Sequence, residues 1–171
     1  FVPLESGLPR GDHRGREHTF TAFAEQCFLD ELAKATERDA VQMRLDMLGE
    51  PRQLPQRGGP RFDTGRMAEV LRRCAERIGW GNRRNDGHGL GIACHFVHGA
   101  YVAHGFEVAI ARGELIVHRV VCIADVGRVL NPLNVDGLLA GATTDAIGVA
   151  LNAAITLRDG KIQQKDFSNY N

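Results

Sequence analysis

Apolar residues in the first half of the chain recur at the three- and four-residue spacing that is typical of amphipathic helices. The first such set predicts a helix that begins near Phe20 or Thr21. Its apolar members are Phe20, Phe23, Ala24, Cys27, Phe28 and Leu32. Asp39 is a good helix N-cap and Gly49 a good helix stop, so they predict a second, shorter helix between them. Its apolar face consists of Val41, Leu45 and Leu48.

A third helix has the clearest pattern of the three. It is predicted to begin at Asp63 or Thr64 and to end at Gly79. Its apolar stripe consists of Met67, Val70, Leu71, Cys74 and Ile78. We expect this stripe to be buried against the strands that follow. Before this helix, residues 49–62 hold three prolines and three glycines, which predicts a surface loop.

The second half of the chain changes to the pattern of β-strands. Strands are predicted over residues 90–96, 101–111 and 114–124, and Arg112-Gly113 joins the last two as a hairpin turn. Residues 137–157 are rich in Ala and Gly and predict a buried helix that runs into a strand of a second hairpin, with its turn at residues 158–160. This order of elements predicts a single α+β domain over residues 1–171, with helices packed on a mixed or antiparallel sheet.

Composition narrows the possible partners. The chain has 21 Lys plus Arg and 21 Asp plus Glu, so charge gives no support for a nucleic-acid partner. The stretch 137–157 contains Asp145 and several polar residues, so no membrane span is predicted. The four cysteines include no C-x-x-C pair, and four buried free thiols are expected.

The most suggestive metal-binding pattern is the H-x-x-H pair His95 and His98. Residues three apart in a strand point to opposite faces of the sheet, so the two imidazoles should not share a metal. We therefore predict no metal site at these residues. The glycines of residues 87–91 precede a strand rather than a helix, so they do not fit a dinucleotide-binding fingerprint.

A polar turn after the last long strand carries the most specific motif. Residues 123–132 read I-A-D-V-G-R-V-L-N-P, and a helix of small residues follows. This segment resembles the V-x-D-x-G-x-x-x-N-P signature of the molybdopterin-binding large subunits of the xanthine dehydrogenase and aldehyde oxidase family, in particular isoquinoline 1-oxidoreductase beta subunits. The resemblance implies a molybdenum-cofactor-binding fold in a molybdenum hydroxylase that acts on an aldehyde or an N-heterocycle. It also implies molybdopterin, either as such or as the cytosine dinucleotide, and an iron–sulfur partner subunit.

A second motif lies before the first predicted helix. His13-Arg14-Gly15-Arg16 and the later F-L-D-E-L-A of residues 28–33 resemble the family's R-G turn and the helix after it. The resemblance implies that Arg14 and Gly15 contact the cofactor and that Arg16 lines the substrate pocket. A glycine beside an arginine in a turn offers N–H donors and one cation to an anion. Taken on the residues alone, a solvated basic turn is the favoured interpretation, because anion-binding turns are a minority of turns.

The helix after Asn131-Pro132 departs from the family pattern. Leu138 and Ala140 stand where the family has Gln and Glu, whereas Gly141 matches and implies contact with the cofactor. A tightly packed helix of small residues is the structural alternative. No residue here matches the family's catalytic Glu, so the resemblance implies a fragment of the large subunit, inactive alone, with the remaining segments as partners. The alternative is a standalone non-catalytic remnant or interaction module of the same fold.

Overall fold

The computed structural model describes residue 15, residues 17–56, 59–82 and 87–166, and residue 168. These ranges contain four helices and seven strands, which confirms the predicted α+β class. In chain order they are α1 (Glu17–Ala35), α2 (Ala40–Leu48), β1 (Gln53–Leu54), β2 (Phe62–Asp63), α3 (Thr64–Ile78), β3 (His88–Val97), β4 (Ala100–Ala111), β5 (Glu114–Asp125), α4 (Pro132–Leu151), β6 (Leu157–Arg158) and β7 (Lys161–Ile162).

The main sheet is antiparallel, with strand order β3-β4-β5. Tight turns join its strands, and in each of them two residues adopt positive φ. These are His98 and Gly99 between β3 and β4, and Arg112 and Gly113 between β4 and β5. Positive φ at both central residues matches the right-handed twist of a hairpin, which explains the glycine in each turn. The predicted hairpin at Arg112-Gly113 is confirmed.

Helix α3 packs on one face of this sheet and forms the core with it. The predicted stripe of Met67, Val70, Leu71, Cys74 and Ile78 is buried. Asp63 caps the first turn by accepting a hydrogen bond from the N–H of Arg66, and Gly79 ends the helix in the left-handed conformation. Beneath the last turn, Gly105 of β4 has no Cβ, and one built there would lie 2.9 Å from the Cβ of Ile78. The glycine therefore allows the helix to approach the sheet closely.

Helix α2 is held by a buried arginine as well as by its apolar face. Arg44 is almost fully buried, and its guanidinium donates to the side chain and carbonyl of Gln26, to Asp30 and to the Ala40 carbonyl. These bonds join α2 to α1, which begins at Glu17, earlier than the pattern indicated. The segment predicted as a surface loop contains the short ladder of β1 with β2.

Helix α1 exposes several large apolar residues, and helix α4 exposes the segment that the sequence predicted to be buried. Phe20, Phe23 and Phe28 of α1 are 69%, 73% and 62% exposed, and no residue of α4 is buried within the described structure. The predictions of a buried, tightly packed α4 and of four buried thiols are therefore wrong, since Cys27 also lies exposed on α1. The described elements cover only one face of the sheet well. No helix in these ranges is long and apolar enough to cross a membrane.

Candidate functional site

The first candidate segment reaches the described structure at Gly15, just before α1. Gly15 has φ +81° and is exposed, and its carbonyl accepts a hydrogen bond from the N–H of His18 at 3.0 Å. A Cβ at this position would lie 2.6 Å from Oγ1 of Thr19, so both conformation and space require glycine. Arg14 and Arg16, the other residues that the motif indicated, lie outside the described residues.

His18 connects this turn to the sheet. Its Nδ1 lies 3.1 Å from Nε2 of His95 on β3, and its ring also meets the ring of His98, with 5.4 Å between centroids. Burial lowers the pKa of His95 below its ordinary value, whereas the nearby Glu25 carboxylate opposes the shift. His95 is therefore suited to act as a neutral hydrogen-bonding partner that ties the start of α1 to the edge of the sheet.

The expectation that His95 and His98 point to opposite faces of one strand was wrong. His98 lies in the β3–β4 turn with φ +50°, not in a strand, so alternation between strand faces does not apply to it. No group of three or more His, Cys, Asp or Glu side chains in the described structure could hold a metal ion.

We predict that the chain binds no stoichiometric zinc or iron at His18, His95 and His98. The physical reason is that the His18 and His95 nitrogens already face each other as a hydrogen-bonded pair, and no third ligand from the described part of the chain converges on them. Elemental analysis of protein dialysed against metal-free buffer would measure this. Bound zinc that disappears in His95→Ala would contradict the prediction.

The second candidate segment is the turn between β5 and α4. Asp125 ends β5, Gly127 follows with φ +75°, and Asn131 caps α4 by accepting a hydrogen bond from the N–H of Asn134 at 3.1 Å. Pro132 occupies the first turn of α4, as its fixed φ favours. The sequence thus folds locally as the motif indicated, as a strand, a turn with one left-handed glycine, and a capped helix start.

The two candidate segments lie at the same end of the main sheet. The strand register places His95 of β3 opposite Val102 of β4, and Val102 opposite Ala124 of β5. Two strand spacings separate His95 from Ala124, which is about 10 Å. Because His18 binds His95 and Asp125 follows Ala124, the turn at Gly15 and the turn after β5 face each other across this end of the sheet.

Helix α4 returns from this end over the sheet face that α3 leaves open. Its half-buried positions Val135, Leu139, Thr143 and Ile147 form the inward stripe. The hydroxyl of Thr143 donates to the Leu139 carbonyl at 2.7 Å and accepts from Nε2 of His104 at 2.9 Å. Burial lowers the pKa of His104, which favours the neutral imidazole in this contact.

Gly141 lies on the outward side of α4. A Cβ at this position would meet no described heavy atom within 4 Å, so nothing in the described structure requires a glycine there. Leu138 is 65% exposed, and Ala140 is exposed as well. The open backbone of α4 fits close approach by a bulky group, but positions 138 and 140 offer no side-chain hydrogen bonds. The outward side of α4 therefore offers a ligand only backbone and small or apolar side chains around Gly141.

Two grooves open beside α1. One, of about 470 Å³, lies over the open face of the sheet and is lined by Phe23, Val102, His104 and Phe106, among others. The other, of about 550 Å³, lies at the β3 edge next to His18 and His95, with Glu25 on its wall and Phe62 and Phe96 on its floor. The second groove combines an apolar floor with polar groups that converge, as ligand sites do. It is also the groove nearer to the turn at Gly15.

Comparison with known proteins shows the family of this chain. The family model for the molybdopterin cofactor-binding domain matches residues 73–171. The isoquinoline 1-oxidoreductase subunit beta of Brevundimonas diminuta is 31% identical over 153 residues, which cover 86% of this chain. The chain spans only 18% of the length of that relative.

Proposed function

Because the chain belongs to the molybdopterin cofactor-binding domain family, we propose that it forms one wall of the cofactor site in the large subunit of a molybdenum hydroxylase-type oxidoreductase. The observation that carries the proposal is that two turns, one at Gly15 and one after β5, lie at the same end of the sheet. Both turns expose backbone, and both are tied to the sheet by side chains, so they can hold a ligand without rearranging.

The contacts from this chain would be made mainly by backbone. The N-terminus of α4 carries the positive end of the helix dipole, which favours a phosphate, and Gly15 exposes its backbone in the facing turn. Gly141 leaves the outer side of α4 open to close approach. From Pro132 to Gly141 this side extends about 14 Å along the helix. The cytosine dinucleotide form of the cofactor belongs to the same proposal. Bound there, the molybdenum would supply the oxidation–reduction chemistry.

The substrate in this proposal is an aldehyde or an aromatic N-heterocycle. The groove beside His18 and His95 lies next to the turn that holds Gly15, and its floor includes the rings of Phe62 and Phe96. These rings meet edge to face, with 5.2 Å between centroids, and suit a flat apolar molecule. The relative that carries isoquinoline in its name supports the heterocyclic class. The lining role of Arg16 belongs to the same proposal.

The partners in this proposal are the remaining segments of the large subunit and an iron–sulfur subunit that accepts the electrons. The exposed phenylalanines Phe20, Phe23 and Phe28 support the first partner, because an apolar surface of this kind is typical of an interface. The length of the relative, of which this chain spans 18%, supports it as well.

A second candidate function is that of a non-catalytic interaction module of the same fold. The side chains at positions 138 and 140 favour it, because Leu and Ala give a buried polar ligand no hydrogen bonds. Such a module would keep the exposed apolar face of α1 and would bind no cofactor. The two functions are therefore separated by whether the chain takes up molybdopterin.

We predict that Gly141→Leu abolishes this uptake without lowering stability. The leucine would project from the outward side of α4 into the space assigned to the cofactor, and no described atom lies within 4 Å of its Cβ. Helix propensity alone should favour the variant by roughly 0.5–1 kcal/mol. The measurement is the molybdenum and pterin content of the chain purified with the remaining segments of the large subunit from a host that makes molybdopterin, together with the thermal melt of the chain.

The matched control is Gly148→Leu, two turns further along the same helix. A Cβ at position 148 also meets no described atom within 4 Å, so the two substitutions change the helix in the same way. The control should retain the cofactor. Equal molybdenum content in Gly141→Leu and in the wild type would show that this side of α4 is not part of the site.

A further inference from the structure

Arg66, in the first turn of α3, makes the best-defined side-chain contact with the turn after β5. Its Nε donates to Oδ2 of Asp125 at 2.7 Å, and its Nη2 donates to Oδ1 at 2.6 Å. This is the two-bond geometry in which a guanidinium fixes the orientation of a carboxylate as well as its position. The two residues lie 59 positions apart in the sequence.

The side chain of Arg66 is itself held in place by neighbouring residues. Its guanidinium lies 4.3 Å from the centroid of the fully buried Tyr101 ring. The hydroxyl of Tyr101 accepts from the N–H of Asp63 at 2.8 Å, and Asp63 in turn caps the helix at the N–H of Arg66. The direction of the Arg66 side chain is therefore set by β4 and by the start of α3 together.

The Asp125 carboxylate in turn holds the backbone of the turn after β5. Oδ1 of Asp125 also accepts from the N–H of Gly127 at 3.1 Å, which fixes the backbone where the chain leaves β5. The hydrogen bonds from Arg66 lower the pKa of Asp125, and so keep the carboxylate charged in this role. Four residues after Gly127, Asn131 caps α4, so the orientation of the turn decides how α4 leaves the sheet.

We infer that Arg66 is a positioning residue for the cofactor wall: it binds no ligand itself but, through Asp125, holds the turn after β5 and the start of α4 in the orientation that admits the cofactor. The inference rests on the proposed function. Both partners of the pair are more than one-third exposed, so the pair itself should add little to global stability. Its effect should appear in the local order of the turn and in cofactor affinity.

The experiment compares Arg66→Gln and Arg66→Lys with the control Arg73→Gln in the full chain. Arg73 lies on the same helix and, among the residues that the structure describes, pairs only with the exposed Glu69, one turn earlier. For each protein, amide exchange of residues 126–131, the melting temperature and the affinity for molybdopterin are measured. We expect Arg66→Gln to exchange faster in this segment and to bind molybdopterin roughly 10- to 100-fold more weakly, the loss typical of supporting residues around a site.

A merely structural role would lower the melting temperature of Arg66→Gln and leave the affinity of the folded protein unchanged, which would overturn the inference. Arg66→Lys keeps the charge but not the two-bond geometry, so it should restore molybdopterin binding only in part. Full loss of binding with unchanged amide exchange of residues 126–131 would also count against the inference. Asp125→Asn tests the same pair through its other member, because it weakens the bond between residues 66 and 125. A wild-type chain that takes up no molybdopterin would instead overturn the proposed function, so the two failures are distinct.

Discussion

Replacing Leu71 with alanine should lower the free energy of unfolding by about 2–5 kcal/mol. Leu71 is fully buried at the centre of the α3 stripe, in the cluster that also contains Tyr101 and Ala103 of β4. Removing its side chain would take away the apolar contacts and leave a cavity between two rigid elements. Chemical denaturation would measure the change in the free energy of unfolding, provided that the m-value is the same in both proteins.

The control for this substitution is Leu138→Ala. Leu138 also lies in a helix, but its side chain is mostly exposed, so we expect a change within about 0.5 kcal/mol. An unfolding midpoint for Leu71→Ala that matched the control would show that α3 does not form the core with this sheet.

A valine in place of Gly105 should also destabilise the protein, by about 1–3 kcal/mol or more, because it would overfill the contact between β4 and α3. A Cβ at position 105 lies 2.9 Å from the Cβ of Ile78 and 3.1–3.2 Å from its two γ-carbons. Ile78 is fully buried, so it has no free space into which to move. Thermal and chemical unfolding would both report the change.

Gly91→Val is the matched control on the neighbouring strand. Gly91 lies beside Phe106 on the other face of the sheet, and its Cβ would meet no described atom within 4 Å. A β-branched residue in a strand with room for it should be neutral or slightly stabilising. If Gly91→Val and Gly105→Val had the same effect, the close approach of α3 to β4 would be wrong.

The core could be predicted from the sequence because its signals are local. The α3 stripe, the capping Asp63 and the terminating Gly79 lie within one short segment, and each indicates the same helix. The hairpin at Arg112-Gly113 is local in the same sense. The family was also recognisable from short motifs, and the match to the molybdopterin cofactor-binding domain confirms it.

Burial on the other face could not be predicted in the same way. The spacing of Phe20, Phe23 and Phe28 indicated a helix correctly, but a pattern of apolar residues does not say which segment covers them. The small residues of α4 indicated tight packing, and the described structure instead leaves Gly141 in open space. Both cases agree with the proposal that another segment of the large subunit covers this surface.

Long-range side-chain contacts could not be predicted from the sequence patterns, for a different reason. The bond between Arg66 and Asp125 depends on how α3 is placed against β5, which no local spacing encodes. The pair of His18 and His95 depends on the docking of α1 at the sheet edge. In the sequence, Asp125 stood out only as part of a motif, and Arg66 and His18 did not stand out at all.

The most direct test of the central claim is the molybdenum and pterin content of the wild-type chain, purified together with the remaining segments of the large subunit from a host that makes molybdopterin. If the two turns and the open side of α4 form one wall of the cofactor site, molybdenum and pterin should copurify with the chain in equal amounts and be absent from Gly141→Leu. A wild-type chain with no more molybdenum than Gly141→Leu would contradict the account and favour the interaction module.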